Sequence, residues 1–300
     1  MKNEAAIERV FLFGREFDER FRVPFRLLMQ RLSDYGVRIS VFGPLKDFIE
    51  RNFGDKCKGC EQFGSYGDIR DQQGVMFSIG GDGTFLEAVT LVRDLPIPLA
   101  GINVGRLGFL SDISHDEVVL AVDSILENRV GYDERILLQL EGDQDIFGEF
   151  SFALNEITIH KRDDSSMIKI KAYLDGEFLN VYWADGLIVA TPTGSTAYSL
   201  SVGGPLVLPD THNLIISPIA PHNLTVRPLV VNDSRKVTLQ IESRNGNLLV
   251  SADSRSAVIE DRLQLTISKA PFHVRTIRLR DHNFYQTMRT KLMWGADRRN

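Results

Sequence analysis

The stretch Ser78-Ile79-Gly80-Gly81-Asp82-Gly83-Thr84 places three glycines, a carboxylate and a hydroxyl where an apolar run gives way to a helical pattern. Glycines let the backbone approach a ligand closely, and the N-terminus of a following helix offers free N–H groups with a partial positive charge. Together they make a cradle for phosphate. The plainer alternative is a tight turn with Asp82 as one of its turn residues. The carboxylate favours the cradle, because beside phosphates it is repulsive unless it holds a cation or takes a proton from a hydroxyl nucleophile. The turn is therefore expected to serve phosphoryl transfer, with Asp82 as cation holder or base and Gly81, Gly83 and Thr84 against the phosphates. No Gly-Lys-Ser/Thr ending accompanies it, so the phosphate handling is not of the Walker type.

Further groups carry chemistry of their own. Residues 101–110, Gly-Ile-Asn-Val-Gly-Arg-Leu-Gly-Phe-Leu, again set glycines at a strand end and include Arg106. Asn155 supplies an amide donor and acceptor and Glu156 two acceptor oxygens, which suit an adenine edge and the two hydroxyls of a ribose. A strand-end polar pair facing water is the alternative. Asp185 and Gly186, which could also be a plain turn, open the run Asp-Gly-Leu-Ile-Val-Ala-Thr-Pro-Thr-Gly-Ser-Thr-Ala-Tyr-Ser. Over 191–201 six serine and threonine hydroxyls surround Gly194, either a polar loop or a wall of small donors for a nucleotide, and the run's length and the flanking apolar strand favour the wall. His222, after Pro221, is expected to be a satisfied structural histidine, since Asp82 already fills the role of base. Cys57 and Cys60 are the only cysteines and are expected to be reduced loop thiols, because two thiolates cannot complete a tetrahedral zinc site.

Gly-Gly-Asp-Gly-Thr is the signature turn of a kinase superfamily that includes NAD kinases, diacylglycerol and sphingosine kinases and, more distantly, phosphofructokinase. In their order and spacing the later motifs closely resemble those of bacterial NAD kinases, over residues 70–300. The lipid kinases share the first turn and few of the later motifs. The resemblance implies phosphorylation of NAD by ATP, with Mg²⁺ bridging the phosphates and Asp82 orienting and deprotonating the ribose 2′-hydroxyl. It implies an NAD/ATP site that includes Arg106, Asn155, Glu156, Asp185, Thr193, Thr196, Ala197, Tyr198 and Ser201. Three positions depart from the family pattern: Ser166 and Trp183 stand where basic or histidine side chains are common, and Arg255 where glutamine is. The resemblance places Ser166 and Arg255 in the dinucleotide pocket; Trp183, two residues before the turn at Asp185, is expected either to line that pocket with its indole stacked on nicotinamide or adenine or to pack between the domains. It also implies a homodimer or homotetramer whose interface completes the site. A lipid or sugar kinase would need an apolar acceptor tunnel or a sugar-phosphate clamp, and the sequence has neither pattern. A non-catalytic NAD(P)-binding sensor would have no need of the base at Asp82.

These residues need elements to hold them. Through residue 131 short apolar runs alternate with helical ones, giving strands over 9–13, 37–42, 75–79 and 98–104 and helices over 21–35, 45–51, 84–93 and 117–128. That rhythm predicts a Rossmann-like α/β domain with a parallel sheet. Capping boxes mark helix starts at Thr84-Phe85-Leu86-Glu87 and Ser114-His115-Asp116-Glu117. Over 132–274 the pattern changes to strands at 137–141, 150–160, 168–174, 187–190, 236–241, 248–252 and 263–269, with a hairpin signal at Asn245-Gly246. An all-β, sandwich-like NAD-binding domain is expected there. The tail 275–300, with a helix over 283–294, is expected to return to the first domain. Thirty-five basic against 40 acidic residues leave a net charge of −5, the wrong sign for a surface that neutralises nucleic-acid phosphates. No apolar run reaches the roughly 18 residues that span a bilayer, and no signal-peptide pattern opens the chain. A cytoplasmic protein with neither nucleic-acid nor membrane partner is expected.

Overall fold

A computed structural model describes residues 7–53, 57, 59–105, 107–162, 167–243, 246–260 and 263–294. The chain divides into two compact units, Met1–Glu134 with Val274–Asn300, and Arg135–His273. In the first, five parallel strands lie in the order Leu99–Ile102, Val75–Ile79, Arg9–Gly14, Arg38–Phe42 and Glu61–Phe63. Thr276, from the long strand Gln264–Leu279, joins this sheet by pairing in parallel with Leu99. Arg9–Gly14 and Val75–Ile79 are buried at every position, so both read as almost unbroken apolar runs. The polar members are Ser78 and Arg9, and Arg9 is satisfied by Ser40 at 2.7 Å and by an ion pair with Glu61.

The helix after the glycine turn is Asp82–Val92, with Gly81 as an extended N-cap. The expected start at Thr84 is therefore corrected: the glycine turn itself provides the cap, and Thr84 lies inside the first turn. The second capping box does form. Ser114 N and Oγ donate to Glu117 Oε2 at 3.1 and 2.6 Å and open a short 3₁₀ turn that leads into Val118–Leu126.

The second unit is a two-layer β structure. One antiparallel sheet runs Leu229–Asn232, Asn213–Ile219, Gly186–Ala190, Glu156–Lys161, Asn247–Ala252, Arg255–Glu260. The other contains Glu177–Ala184, Ile168–Leu174, Val237–Glu242 and the first part of Gln264–Leu279. Alternate residues of both sheets face inward into one apolar cluster, with Ile157, Ile159, Leu187 and Val250 from the first sheet and Ile170, Leu239, Ile241 and Ile267 from the second.

Two expectations change here. Asn245 lies outside the described residues, but the strands on either side of it belong to different sheets, Val237–Glu242 to one and Asn247–Ala252 to the other. Those two strands therefore form no hairpin with each other. The strand expected over 150–160 is also broken. Phe152–Ala153 pairs with Leu138 and Gln139 in one layer, whereas Glu156–Lys161 belongs to the other, so the chain changes sheets at Leu154 and Asn155. Among the described residues no helix is long and apolar enough to cross a membrane.

Candidate active site

In the first unit the strand Val75–Ile79 runs into Gly80, whose N–H donates to the Ile102 carbonyl at 2.9 Å. A Cβ at Gly80 would strike the Thr84 side chain, whereas Gly81 and Gly83 face open space. Among the described residues no atom explains the second pair. Room beside a helix N-terminus is what an anionic ligand requires. Asp82, 34% exposed, occupies the first helical position, and its carboxylate accepts the N–H groups of Phe109 (2.9 Å), Leu110 (3.1 Å) and Ser111 (3.0 Å). The two glycine-rich motifs thus form one device in which the loop 107–111 wraps the carboxylate of the turn. Gly108 is required there because a Cβ would overlap the Asp82 carboxylate. Arg106, expected in the same loop, lies outside the described residues.

In the second unit the change of sheet takes three consecutive N–H groups out of the strand ladder. Those of Leu154, Asn155 and Glu156 all donate to Asp253, at 2.7, 2.8 and 3.1 Å. Buried backbone donors need such a partner. Asp253 sits at a turn with φ of +52° and its side chain is only 4% exposed. Arg255 fastens the preceding segment by donating to the carbonyls of Phe150 (2.7 Å), Phe152 and Ala252 (3.2 Å) while its guanidinium lies over the Phe152 ring. Asp253 is the candidate that residue types alone miss. Its one sequence signal is its place in the turn Ala252-Asp253-Ser254-Arg255 after a strand.

The consequence falls on Asn155 and Glu156. Asn155 is buried, and Glu156 has its carboxyl pushed up to about 8, first by burial and then by the negative charge of Asp253, against a hydrogen bond from the Tyr198 N–H. Among the described residues Glu156 Oε2 is buried with no hydrogen-bond partner. Gly194 packs so closely on the Asn155 backbone that no side chain fits there. The expected wall of six hydroxyls is corrected. Thr191 bonds the Leu154 carbonyl (2.6 Å), Ser195 bonds Val207 (3.1 Å) and Ser199 meets Ser217 (3.2 Å), all three fully buried, because this turn must satisfy its own backbone and its neighbours first. Thr193 is buried, Thr196 and Ala197 are partly exposed, and Tyr198 and Ser201 are exposed.

The remaining candidates lie elsewhere in this unit. Trp183 is 45% exposed on the edge strand Glu177–Ala184, with Lys169 Nζ 5.8 Å from its ring centroid. Asp185 is clasped by Lys161 at 2.8 Å. In the paired strands Gly186 stands opposite His160 and Ala190 opposite Glu156, so Asp185 and Glu156 lie at opposite ends, about 16 Å apart at strand rise. The fold gathers Asn155 and Glu156 with 193–198 and keeps Trp183 and Asp185 apart from them. Ser166 lies outside the described residues. The His222 N–H donates to the Trp183 carbonyl at 2.8 Å, and Cys57 and Cys60 are free thiols. Among the described residues no three His, Cys, Asp or Glu side chains gather as a metal site.

The chain is similar to known proteins along most of its length. Residues 23–130 match the family model of the ATP-NAD kinase N-terminal domain and residues 154–279 that of its C-terminal domain. An NAD kinase of Bacteroides fragilis is 41% identical over 288 residues, 96% of this chain and 98% of that protein. One of Cytophaga hutchinsonii is 51% identical over 226 residues, 75% of this chain and 77% of its own. Among solved structures, an NAD kinase from Archaeoglobus fulgidus in complex with ATP superposes with a TM-score of 0.72 at 25% identity, covering 94% of this chain and 99% of that one. Yeast NADH kinase complexed with NADH shares the fold, with a TM-score of 0.87 at 22% identity over 99% of this chain and 89% of its own. Matched along most of its length by both family models and by these relatives, the chain belongs to the NAD kinase family.

Proposed function

We propose that the protein transfers the γ-phosphoryl group of ATP to the 2′-hydroxyl of the adenosine ribose of NAD, giving NADP and ADP. The observation that carries this reading is Glu156 Oε2, a buried carboxylate oxygen with no partner among the described residues, in the residue that follows the buried Asn155. Such an oxygen is a seat for a pair of hydroxyl donors, and a ribose presents one. The phosphates belong at the open turn around Gly81 and Gly83. Asp82 Oδ2 accepts one N–H where Oδ1 accepts two, which leaves it a lone pair for the hydroxyl proton.

Mg²⁺ belongs to this reading as a companion of the triphosphate. The ion keeps several waters and takes one or two carboxylates, and Asp82 is the carboxylate the turn provides. Bound there, it would offset charge on the phosphate oxygens. Arg255 and Asp253 act through the backbone of 150–156. The Trp183–Asp185 group, separated from Glu156 along the strand, would serve the pocket of a second copy in a homodimer or homotetramer. The reaction is assigned to the cytoplasm, where both substrates occur.

The test is direct: purified protein with ATP, Mg²⁺ and NAD, with NADP read by an NADP-specific dehydrogenase. NADP should accumulate with an equal amount of ADP. Silence with ATP and with other phosphoryl donors would replace the enzyme with a binding protein of the same fold.

A further inference from the structure

The turn around Asp82 lacks a lysine of its own, and one reaches it from the last helix of the chain. That helix, Phe284–Leu292, is held firmly. Just before it, His282 sits between Asp112 and Glu117, at 3.2 Å from each. Asn283 caps it by accepting the Gln286 N–H at 2.9 Å, the Phe284 ring meets the Phe109 ring at 6.1 Å between centroids, and Met288 is buried. Both anchors, His282 and Phe284, grip the stretch 109–117, whose first three N–H groups hold Asp82.

The last turn of this helix delivers Lys291. Its ammonium lies 4.6 Å from the centre of the Phe109 ring and 3.9 Å from Asp82 Oδ2, with the side chain 25% exposed. At 3.9 Å the carboxylate attracts the ammonium without accepting a hydrogen bond from it. Among the described residues no acceptor stands within hydrogen-bonding distance of Lys291 Nζ. Three N–H donors on a cation are thus oriented by an aromatic face and a carboxylate, beside a helix N-terminus flanked by two glycines with open space around them.

We infer that Lys291 is a phosphate-binding residue of the kinase reaction, its ammonium donating to oxygens of the nucleotide triphosphate seated at the turn. The inference rests on the reading of that turn as the triphosphate seat. It supplies what the turn needs. A carboxylate beside several phosphate charges is repulsive, and a cation within 4 Å of that carboxylate offsets the repulsion. Lysine serves phosphate as a compact point charge that needs no fork geometry, so it can be delivered from a separate helix. Before nucleotide arrives, the Lys291 ammonium faces Asp82 Oδ2; afterwards it is shared with the phosphates.

The test compares Lys291→Met, which keeps length and removes charge, with Lys291→Arg. ATP affinity is measured by calorimetry without NAD, alongside steady-state kinetics and melting temperature. Lys291→Met should weaken ATP binding and raise KM for ATP by about 10–100-fold, leave KM for NAD within about twofold and leave the melting temperature nearly unchanged. Lys291→Arg should recover much of the ATP affinity. Unchanged ATP affinity in Lys291→Met would overturn the inference. So would a parallel fall in ATP affinity, NAD affinity and melting temperature in both variants, the mark of a purely structural lysine. If Lys291→Met does not fold, Lys291→Gln takes its place on the same readouts. Failure of the kinase reading looks different: wild-type protein would make no NADP, while the calorimetric comparison would still report on the phosphate contact.

Discussion

Asp82 and Asp253 each collect three consecutive backbone N–H groups, from Phe109, Leu110 and Ser111 in one unit and from Leu154, Asn155 and Glu156 in the other. The mechanical task is the same, to hold a segment that no strand ladder can satisfy. What differs is access. Asp82 is 34% exposed on a helix N-terminus, whereas Asp253 is 4% exposed behind the strand it holds. One strap can also touch a substrate, and the other can act only through the residues it positions. Substitutions at the two should therefore separate catalysis from placement.

The largest effect belongs to Asp82. Asp82→Asn keeps size and turn preference but removes the base, and kcat should fall about 10²–10⁴-fold with NAD binding by calorimetry preserved. A folded variant with near-normal kcat would reduce Asp82 to a strap and erase the contrast. Asp253→Asn should do the opposite. Its amide leaves buried N–H donors without an acceptor, so the variant should lose about 2–4 kcal/mol of stability in denaturant titration and bind NAD more weakly, with ATP affinity kept. Equal loss of both affinities would mean that Asp253 serves the whole fold and no particular site.

Glu156, positioned by Asp253, sharpens the comparison through pH. Its folded carboxyl titrates near 8 against an ordinary value of 4.5, so between these values the folded protein retains a proton that the unfolded chain has released. The associated stability is fully present below about 4.5 and declines as pH rises to about 8. Glu156→Gln should flatten that decline, raising the melting temperature relative to wild type more at pH 8.5 than at pH 5. With the ionised form as the proposed acceptor of the ribose hydroxyls, NAD affinity in wild type should rise through pH 8 and turnover in the variant should drop by up to about 100-fold. A variant with wild-type turnover would remove the ribose assignment.

The smallest effect is at His282, on the Asp82 side. Asp112, and then Glu117, hold its imidazole up to about 9 against burial, from an ordinary 6.5. The stabilisation is present in full below about 6.5 and lost as pH rises through 9, so His282→Gln should lower stability by about 1 kcal/mol at pH 6 and little at pH 10. A pH-independent loss would show that the imidazole packs without its charge.

Much of the fold is legible because its signals are periodic or local. The run Val75–Ile79 announces a strand buried on both faces, and Ser114-His115-Asp116-Glu117 caps its helix as written. Asn213–Ile219 escaped because Pro218 and Ser217 interrupt its apolar pattern, and Glu177–Ala184 because an edge strand can expose alternate faces without a clear period. The hydroxyls over 191–201 read as a uniform row in sequence. Only packing against Leu154, Val207 and Ser217 divides those turned inward from those left near the surface.

The sequence by itself determined the glycine turn with its carboxylate, the Asn155–Glu156 pair, and the change from α/β to all-β rhythm. Each is a composition or period readable within a few residues. Tertiary structure decided which groups meet: Asp82 with N–H donors 27–29 positions away, Asp253 with donors 97–99 positions away, and Lys291 with the turn from the last helix. A hydrogen bond between distant segments depends on the register of every element between them, and no local pattern encodes that register.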